Sequence, residues 1–215
     1  YEIQTINKLI NQQSRPMTII ISGAKISTKI VVIKKLLTKC DYMILGGGIL
    51  NTFLKAKGYE VGKSLLEEGH VVDAIEILES NLANKIIFPS DFSCVTENGV
   101  ANVELSCISP NDSIFDLGTT SINKIKSIVK KSASVFWNGP LGYVEKKPFN
   151  KGTEELAKAI ADHNCFSIAG GGDTLPIIEN LNLQNGYNCI STGGGSLLTY
   201  LEGGSLPIID KLNLR

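Results

Sequence analysis

DYMILGGG (41–48) decides the fold, together with its two counterparts CFSIAGGG (165–172) and NCISTGGG (188–195). Each is a short apolar run of strand character that ends in three glycines, and each is followed by residues able to start a helix. A strand, a glycine turn and a helix in that order bring bare backbone N–H groups close to a ligand at the positive end of the helix dipole. Three such turns in 215 residues imply that one rim of a parallel sheet serves a large phosphate-bearing ligand.

Working outward, apolar runs alternate with helix-period segments along the chain, the pattern of a parallel sheet covered on both faces. MTIIIS (17–22), DYMIL (41–45), KIIF (85–88), SIFDL (113–117), SVFW (134–137), FSIA (166–169) and NCIS (188–191) read as strands. Helices are expected over 27–39 with Ser27 as cap, 49–57, 67–83 with Val71, Val72, Ile75 and Leu78 inward, 120–131, 150–162, from Thr174 and from about 195. Residues 1–14 read as a leading helix with Ile3, Ile6, Leu9 and Ile10 on one face. The stretch 90–112 breaks the rhythm, and Asn98-Gly99 is a strong hairpin signal. The expected fold class is therefore α/β, a three-layer Rossmann-like domain with a mainly parallel central sheet, helices on both faces and a small β-hairpin excursion near 91–108. No low-complexity linker divides the chain, so 1–215 is read as one domain.

Composition narrows the function classes. Hydrophobic residues make up 43% and charged residues 20%, and the net charge is zero, so no basic footprint for nucleic acid exists. No apolar run reaches membrane-spanning length and no signal-peptide pattern opens the chain. The five cysteines lack metal-ligand spacing, and a reducing cytoplasm is the expected setting. Only Arg15 and Arg215 are arginines, both near a terminus. Small phosphorylated acids are usually gripped by the arginine fork, which the interior of this chain does not offer.

Four segments carry candidate chemistry. SGAKISTK (22–29) follows the first strand, and its Gly23, Lys25 and Lys29 could converge on one anion. A lysine at a helix N-terminus is unfavourable by dipole, so Lys29 needs a reason to be there, which an anion would supply; the alternative reading is two solvated lysines. In GGGDT (170–174), Asp173 is read either as a helix cap or as the carboxylate that bridges to phosphates through Mg²⁺, and Thr174 as a donor to a phosphate oxygen. STGGGS (191–196) opens a helix whose N–H groups could stabilise a transferring phosphoryl group. WNGPLGYVE (137–145) supplies Asn138 and Glu145, the latter a potential acceptor for ribose hydroxyls. Neither the Walker pattern nor GxGxxG occurs, which disfavours a P-loop enzyme and a nicotinamide dehydrogenase. His70 and His163 lie away from every glycine turn and have no nucleophile at base spacing.

Taken together, SGAKISTKI, LGGGILNTFLKAKG, VFWNGPLGYVE with its later KGT, and SIAGGGDT followed by STGGGSLLTYLEGG closely resemble the C-terminal domain of phosphoglycerate kinases of bacterial type. The resemblance covers nearly the whole chain. It implies binding of Mg-ADP or Mg-ATP, with phosphoglycerate bound by an N-terminal domain that this sequence does not contain. By motif, Lys29 would hold nucleotide phosphates, and Lys25, Gly172 and Gly194 would serve the transfer step. Gly23, Gly46, Gly47 and Gly48 would flank the adenine pocket, and Asn138, Pro140 and Glu145 would surround phosphates, base and ribose. Asp173 would bind the magnesium-nucleotide, Gly171 and Thr174 the phosphates, and Gly193 and Gly194 the transfer site. The chain departs from the family where Gly118-Thr119-Thr120-Ser121 replaces GPxS and where Leu197 follows Ser196. The implied reaction moves a phosphoryl group from 1,3-bisphosphoglycerate to ADP in glycolysis, by a monomer whose isolated domain binds nucleotide but turns over negligibly. A non-catalytic nucleotide-binding module or sensor, and a purely structural fragment, are the alternatives.

Overall fold

Strand β1 (Met17–Ser22) is buried at all six positions. A run such as MTIIIS loses all contact with water only inside a sheet covered on both faces, where alternation gives way to continuous apolar sequence. The computed structural model, which describes residues 2–11, 14–206 and 211, places it there. Helix α1 (Glu2–Asn11) precedes β1, and α2 (Ile30–Leu37), β2 (Tyr42–Gly46), α3 (Gly47–Ala56), α4 (Val71–Glu79) and β3 (Ile86–Ile87) follow it. Next come β4 (Asp91–Thr96), β5 (Gly99–Glu104), β6 (Ser113–Leu117) and α5 (Thr119–Val129). The chain closes with β7 (Ser134–Asn138), α6 (Lys151–Ala161), β8 (Phe166–Gly170), α7 (Leu175–Asn180), β9 (Cys189–Ser191) and α8 (Gly194–Leu201).

Six strands form the main sheet in the order β3-β2-β1-β7-β8-β9, every pair parallel. Connections run outward from β1 on one side and outward from β7 on the other. The point where the direction reverses lies between these two strands, and in open α/β sheets ligands bind beyond the carboxyl ends at such a point. Right-handed crossovers put the helices of the two half-sheets on opposite faces. On one side α5 packs against α6 and α6 against α7; elsewhere α2 meets α8 and α3 meets α4. The expected doubly covered parallel sheet is what the chain forms.

Several local expectations are revised. SIFDL does not join the parallel sheet: β6 pairs antiparallel with β4, whose other neighbour is β5, in a separate three-stranded sheet. The predicted hairpin about Asn98-Gly99 is present as β4 and β5, and β6 enlarges the excursion. An apolar five-residue run carries no record of which sheet it joins, so the reading assigned it to the commoner partner. The segment 67–83 is α-helical only from Val71 to Glu79, after a 3-10 turn at Glu68–His70, and the buried residues of the α-helix are Ala74 and Ile77, with Val72 66% exposed. Ser27 does not cap α2. The helix starts three residues later, and Ser27 instead donates its N–H and its hydroxyl to the Glu67 carboxylate, at 2.7 and 2.8 Å. In the leading helix Ile6 and Leu9 are buried as expected. The predicted residues 1, 12 and 13 of that helix, and the side chain of Ile10, lie outside the described residues.

One buried charge fastens the small sheet to helix α5. Asp91, at the start of β4 and 3% exposed, accepts hydrogen bonds from the N–H groups of Thr120 and Ser121, the Ser121 hydroxyl and the Asn102 amide. The first two are orphan donors of the first turn of α5, whose own N-cap, Gly118, has no side chain to offer. Burial alone would raise the Asp91 pKa, but the hydrogen bonds from Ser121, Asn102 and Thr120 overcome it and hold the carboxyl below its ordinary value. Its stabilising contribution is therefore complete above the ordinary carboxylate range and disappears as pH falls through the depressed native value. We expect Asp91→Ala to cost about 2 kcal/mol. Urea denaturation at pH 7 would measure this, and an unchanged midpoint would refute the cap.

Candidate functional site

The site begins with the geometry of β1 and β7. These strands lie side by side, Ile21 opposite Asn138, so the turns that leave them face each other across the reversal point. At the end of β7, Gly139 adopts φ +95°, and a methyl group on it would stand 2.2 Å from the carbonyl oxygen of Ser22. Only glycine permits that approach. The turn after β2 is as close: a methyl on Gly48 would lie 2.2 Å from the Ala24 carbonyl oxygen. Backbone bonds stitch the turns together, with the Ile49 N–H donating to Gly23 O at 3.1 Å and the Gly47 N–H to Leu141 O at 3.3 Å. The buried Thr174 hydroxyl accepts from the Gly139 N–H at 3.0 Å, which joins the turn after β8 to the turn after β7.

Lys29 occupies the gap so formed. It is the residue before the first turn of α2, but its side chain folds back toward the strand ends. Its ammonium donates to the Ser22 carbonyl and, at 2.8 Å, to Asn138 Oδ1. Lys29 is therefore not simply solvated, and two protein acceptors that the sequence did not reveal engage its ammonium. Burial lowers the Lys29 pKa from 10.5 to about 8, while the Asp173 carboxylate opposes the shift. Lys25 lies in the same loop and is exposed. Arg15 belongs to the opposite end of β1, where it pairs with Asp41.

Next to these turns is a cavity of about 500 Å³. Of the residues expected from sequence, Gly23, Gly47, Gly48, Pro140, Glu145 and Asp173 line it. Gly46 ends β2 behind it, where a methyl would strike the Ser22 hydroxyl. Lys25, Lys29, Asn138, Gly171, Gly172 and Thr174 stand outside its lining, on the turns beside it. Gly193 and Gly194 follow β9, one strand beyond β8, and the cavity does not reach them. There, the Gly193 N–H donates to the Ser191 hydroxyl, which itself donates to Glu2 of α1. Gly172, Gly194 and Gly195 face open space.

The far wall of the cavity was not anticipated. It comes from the small sheet, through Phe92 of β4 and Ile114, Phe115, Asp116 and Leu117 of β6. Tyr143 stacks on Phe115 with ring centroids 5.6 Å apart, and Phe149 packs against Phe115 in a tilted arrangement at 4.9 Å. The segment 63–65 forms a further side, latched to β6 by the Lys63 N–H on Asp112 O at 2.7 Å and by the Ile114 N–H on the Ser64 hydroxyl at 2.8 Å. Leu65 on that segment remains 62% exposed. Burial raises the Asp116 pKa to about 7, opposed by the N–H groups of Gly152 and Leu117 that donate to it.

The donor set bears on a metal. Among the described residues no cluster of three or more His, Cys, Asp or Glu side chains could hold an ion. Asp173 is an exposed carboxylate next to Lys29 and the glycine turns. One carboxylate cannot cage Mg²⁺, but it suits an ion that arrives on a polyphosphate and keeps its waters. The residues present fit a nucleotide-borne magnesium.

A doubly wound α/β domain whose reversal point carries a lysine, an exposed carboxylate and a largely apolar cleft is the class defined here. Comparisons make it particular. The phosphoglycerate kinase family model matches residues 1–204. The phosphoglycerate kinase of Baumannia cicadellinicola is 41% identical over 98% of this chain and 54% of its own length, and that of Buchnera aphidicola from Acyrthosiphon pisum is 44% identical with the same coverage. Among solved structures, Coxiella burnetii phosphoglycerate kinase superposes with a TM-score of 0.92 at 36% identity, over 98% of this chain and 56% of that one. The Pyrococcus horikoshii enzyme gives 0.88 at 29% identity, over 99% and 55%. The chain belongs to the phosphoglycerate kinase family. It spans about half the length of the curated relatives it matches. No helix among the described residues is long and apolar enough to cross a membrane.

A pH consequence follows from the Lys29 geometry. In the unfolded chain its ammonium titrates near 10.5 and in the folded protein near 8, so the unfolded state binds more protons between those values. Stability should accordingly rise as pH increases through this interval. We expect the Lys29→Met variant to lose that rise while keeping the fold, as read from urea midpoints between pH 7 and 10. A wild-type profile that falls over that range and is unaffected by the substitution would contradict the burial argument.

Proposed function

We propose that this chain is the nucleotide-binding half of a phosphoglycerate kinase, taking Mg-ADP or Mg-ATP at the reversal point between β1 and β7. The observation that carries the reading is the Lys29 to Asn138 bond across that point, with Asp173 beside it and a largely apolar cavity of about 500 Å³ alongside. The flat base enters between the glycine turn of α3 and the Phe115 to Tyr143 wall, Glu145 accepts from the ribose, and the phosphates extend over Gly23 toward Lys29. Lys25, exposed in its loop, reaches the terminal phosphoryl group. Gly172 and Gly194, with open space around them, present backbone N–H groups toward the transfer site.

The chemistry asks little of a proton acceptor. In the ATP-forming direction a β-phosphate oxygen of ADP, already ionised, forms a new P–O bond to the phosphorus of the acyl phosphate. The bond between that phosphorus and the acyl oxygen breaks, and the electron pair leaves on a carboxylate that is stable at neutral pH. What remains is to hold the partners in line and to offset charge on the equatorial oxygens. Lys25, Lys29 and the N–H groups of the glycine turns provide this, and magnesium held through Asp173 would supply the remaining charge neutralisation. The 3-phosphoglycerate or 1,3-bisphosphoglycerate is bound by a separate N-terminal domain. The protein works as a cytoplasmic monomer in glycolysis.

We expect the purified chain to bind Mg-ADP by calorimetry, to bind it more weakly in EDTA, and to produce negligible ATP from 1,3-bisphosphoglycerate. Lys29→Ala should weaken binding about tenfold or more, as the loss of a charge-assisted contact does. Lys25→Ala should change affinity far less, because its contact develops in transfer. Equal losses for the two lysines would favour a non-catalytic module or sensor, and robust ATP production would overturn the half-enzyme reading.

A further inference from the structure

Asn51 lies in the first half of α3 and is 3% exposed, yet it lines the cavity. Its amide nitrogen donates to the Leu65 carbonyl oxygen at 2.9 Å. That bond fixes the amide, since the reversed orientation would set two oxygens against each other. Oδ1 is then left as the single buried side-chain nitrogen or oxygen among the described residues with no hydrogen-bond partner. Buried acceptors without a donor are disfavoured and call for an explanation.

Beside Asn51, the Asp116 and Ser64 side chains of the same wall are already engaged. Asp116 accepts the Leu117 N–H at 2.8 Å and the Gly152 N–H at 2.7 Å through its two oxygens. The Ser64 hydroxyl donates to Val61 O and accepts from the Ile114 N–H. Among Leu50, Leu65 and Phe115 of the lining, the buried, unmatched Asn51 acceptor favours a ligand edge that brings it a hydrogen.

We propose that Asn51 Oδ1 reads the six-position of a purine base, accepting from an exocyclic amino group and opposing an oxo group. The inference rests on the nucleotide reading above and specifies its base. Adenine offers an N–H at that edge. Hypoxanthine and guanine offer an oxygen, which would face Oδ1 with no proton between them, and sites built around such a bond discriminate strongly against the analogue that lacks it.

The test is a calorimetric series on the whole chain with magnesium: ADP, purine riboside 5′-diphosphate, which carries no substituent at that position, and IDP, which carries the oxo group. For the wild type we expect ADP to bind about tenfold or more tighter than IDP, with the unsubstituted analogue between them. In Asn51→Leu, which removes the acceptor at similar volume, the three affinities should fall within about twofold of one another. If Asn51→Leu fails to fold, as judged by its thermal melt, the wild-type series decides alone. Equal wild-type affinities, or a preference that survives in a folded Asn51→Leu, would overturn the Asn51 assignment and leave the nucleotide site standing. Absence of any ADP binding would overturn the nucleotide reading and this inference with it.

Discussion

A cation held out of water across the gap between two parallel strands is the constraint on which this architecture turns. The Lys29 ammonium keeps a reduced pKa because burial costs it hydration, and it tolerates that cost through the Ser22 carbonyl and Asn138 Oδ1. Those acceptors sit on strands that would otherwise splay beyond the last ladder bond. The lysine therefore does two jobs with one group. It ties the ends of the two strands together, and it places a positive charge at the rim. Asp173, on the turn after β8, opposes that charge, so the local field is not strongly positive.

The second sheet gives this arrangement its depth. The six parallel strands alone would offer a rim with phosphate-sized turns and little else. By pairing with β4 and not with the parallel sheet, β6 swings Phe115 and Leu117 over the rim and converts it into a cleft. Asp91 fastens this wall by capping α5, and segment 63–65 is latched to it through Asp112 and Ser64. Hydrophobic packing then runs without interruption from Ile19 and Ile20 of β1 to Phe92, Cys94 and Leu117 of the small sheet.

How much of this could be read from residues alone depends on the range over which each signal acts. The glycine turns are local: strand, three glycines and helix are legible within eight positions, and Gly47, Gly48 and Gly23 stand where their type demanded. Strand existence was equally plain, since MTIIIS and SVFW have few other uses. Sheet membership is a long-range property, so SIFDL was assigned to the wrong partner. The inward face of α4 was misread because Val72 is apolar but lies on the solvent side, where single apolar residues are common. At the candidate site the lysines and Asp173 announced themselves through charge beside glycine. Asn51 lay inside a quoted motif without being singled out, because an amide in a helix reveals its meaning only when its partners can be counted. Tyr143 and Phe115 come together from different elements, and no spacing rule links them.

The contact between Gly139 and the Ser22 carbonyl oxygen reaches beyond the turn it belongs to. Because the missing methyl sets how near the two main chains lie, the aperture is ruled by backbone geometry and is indifferent to drift among the surrounding side chains. The groove thus has a fixed gauge, and the smallest residue in the chain acts as its spacer by being empty.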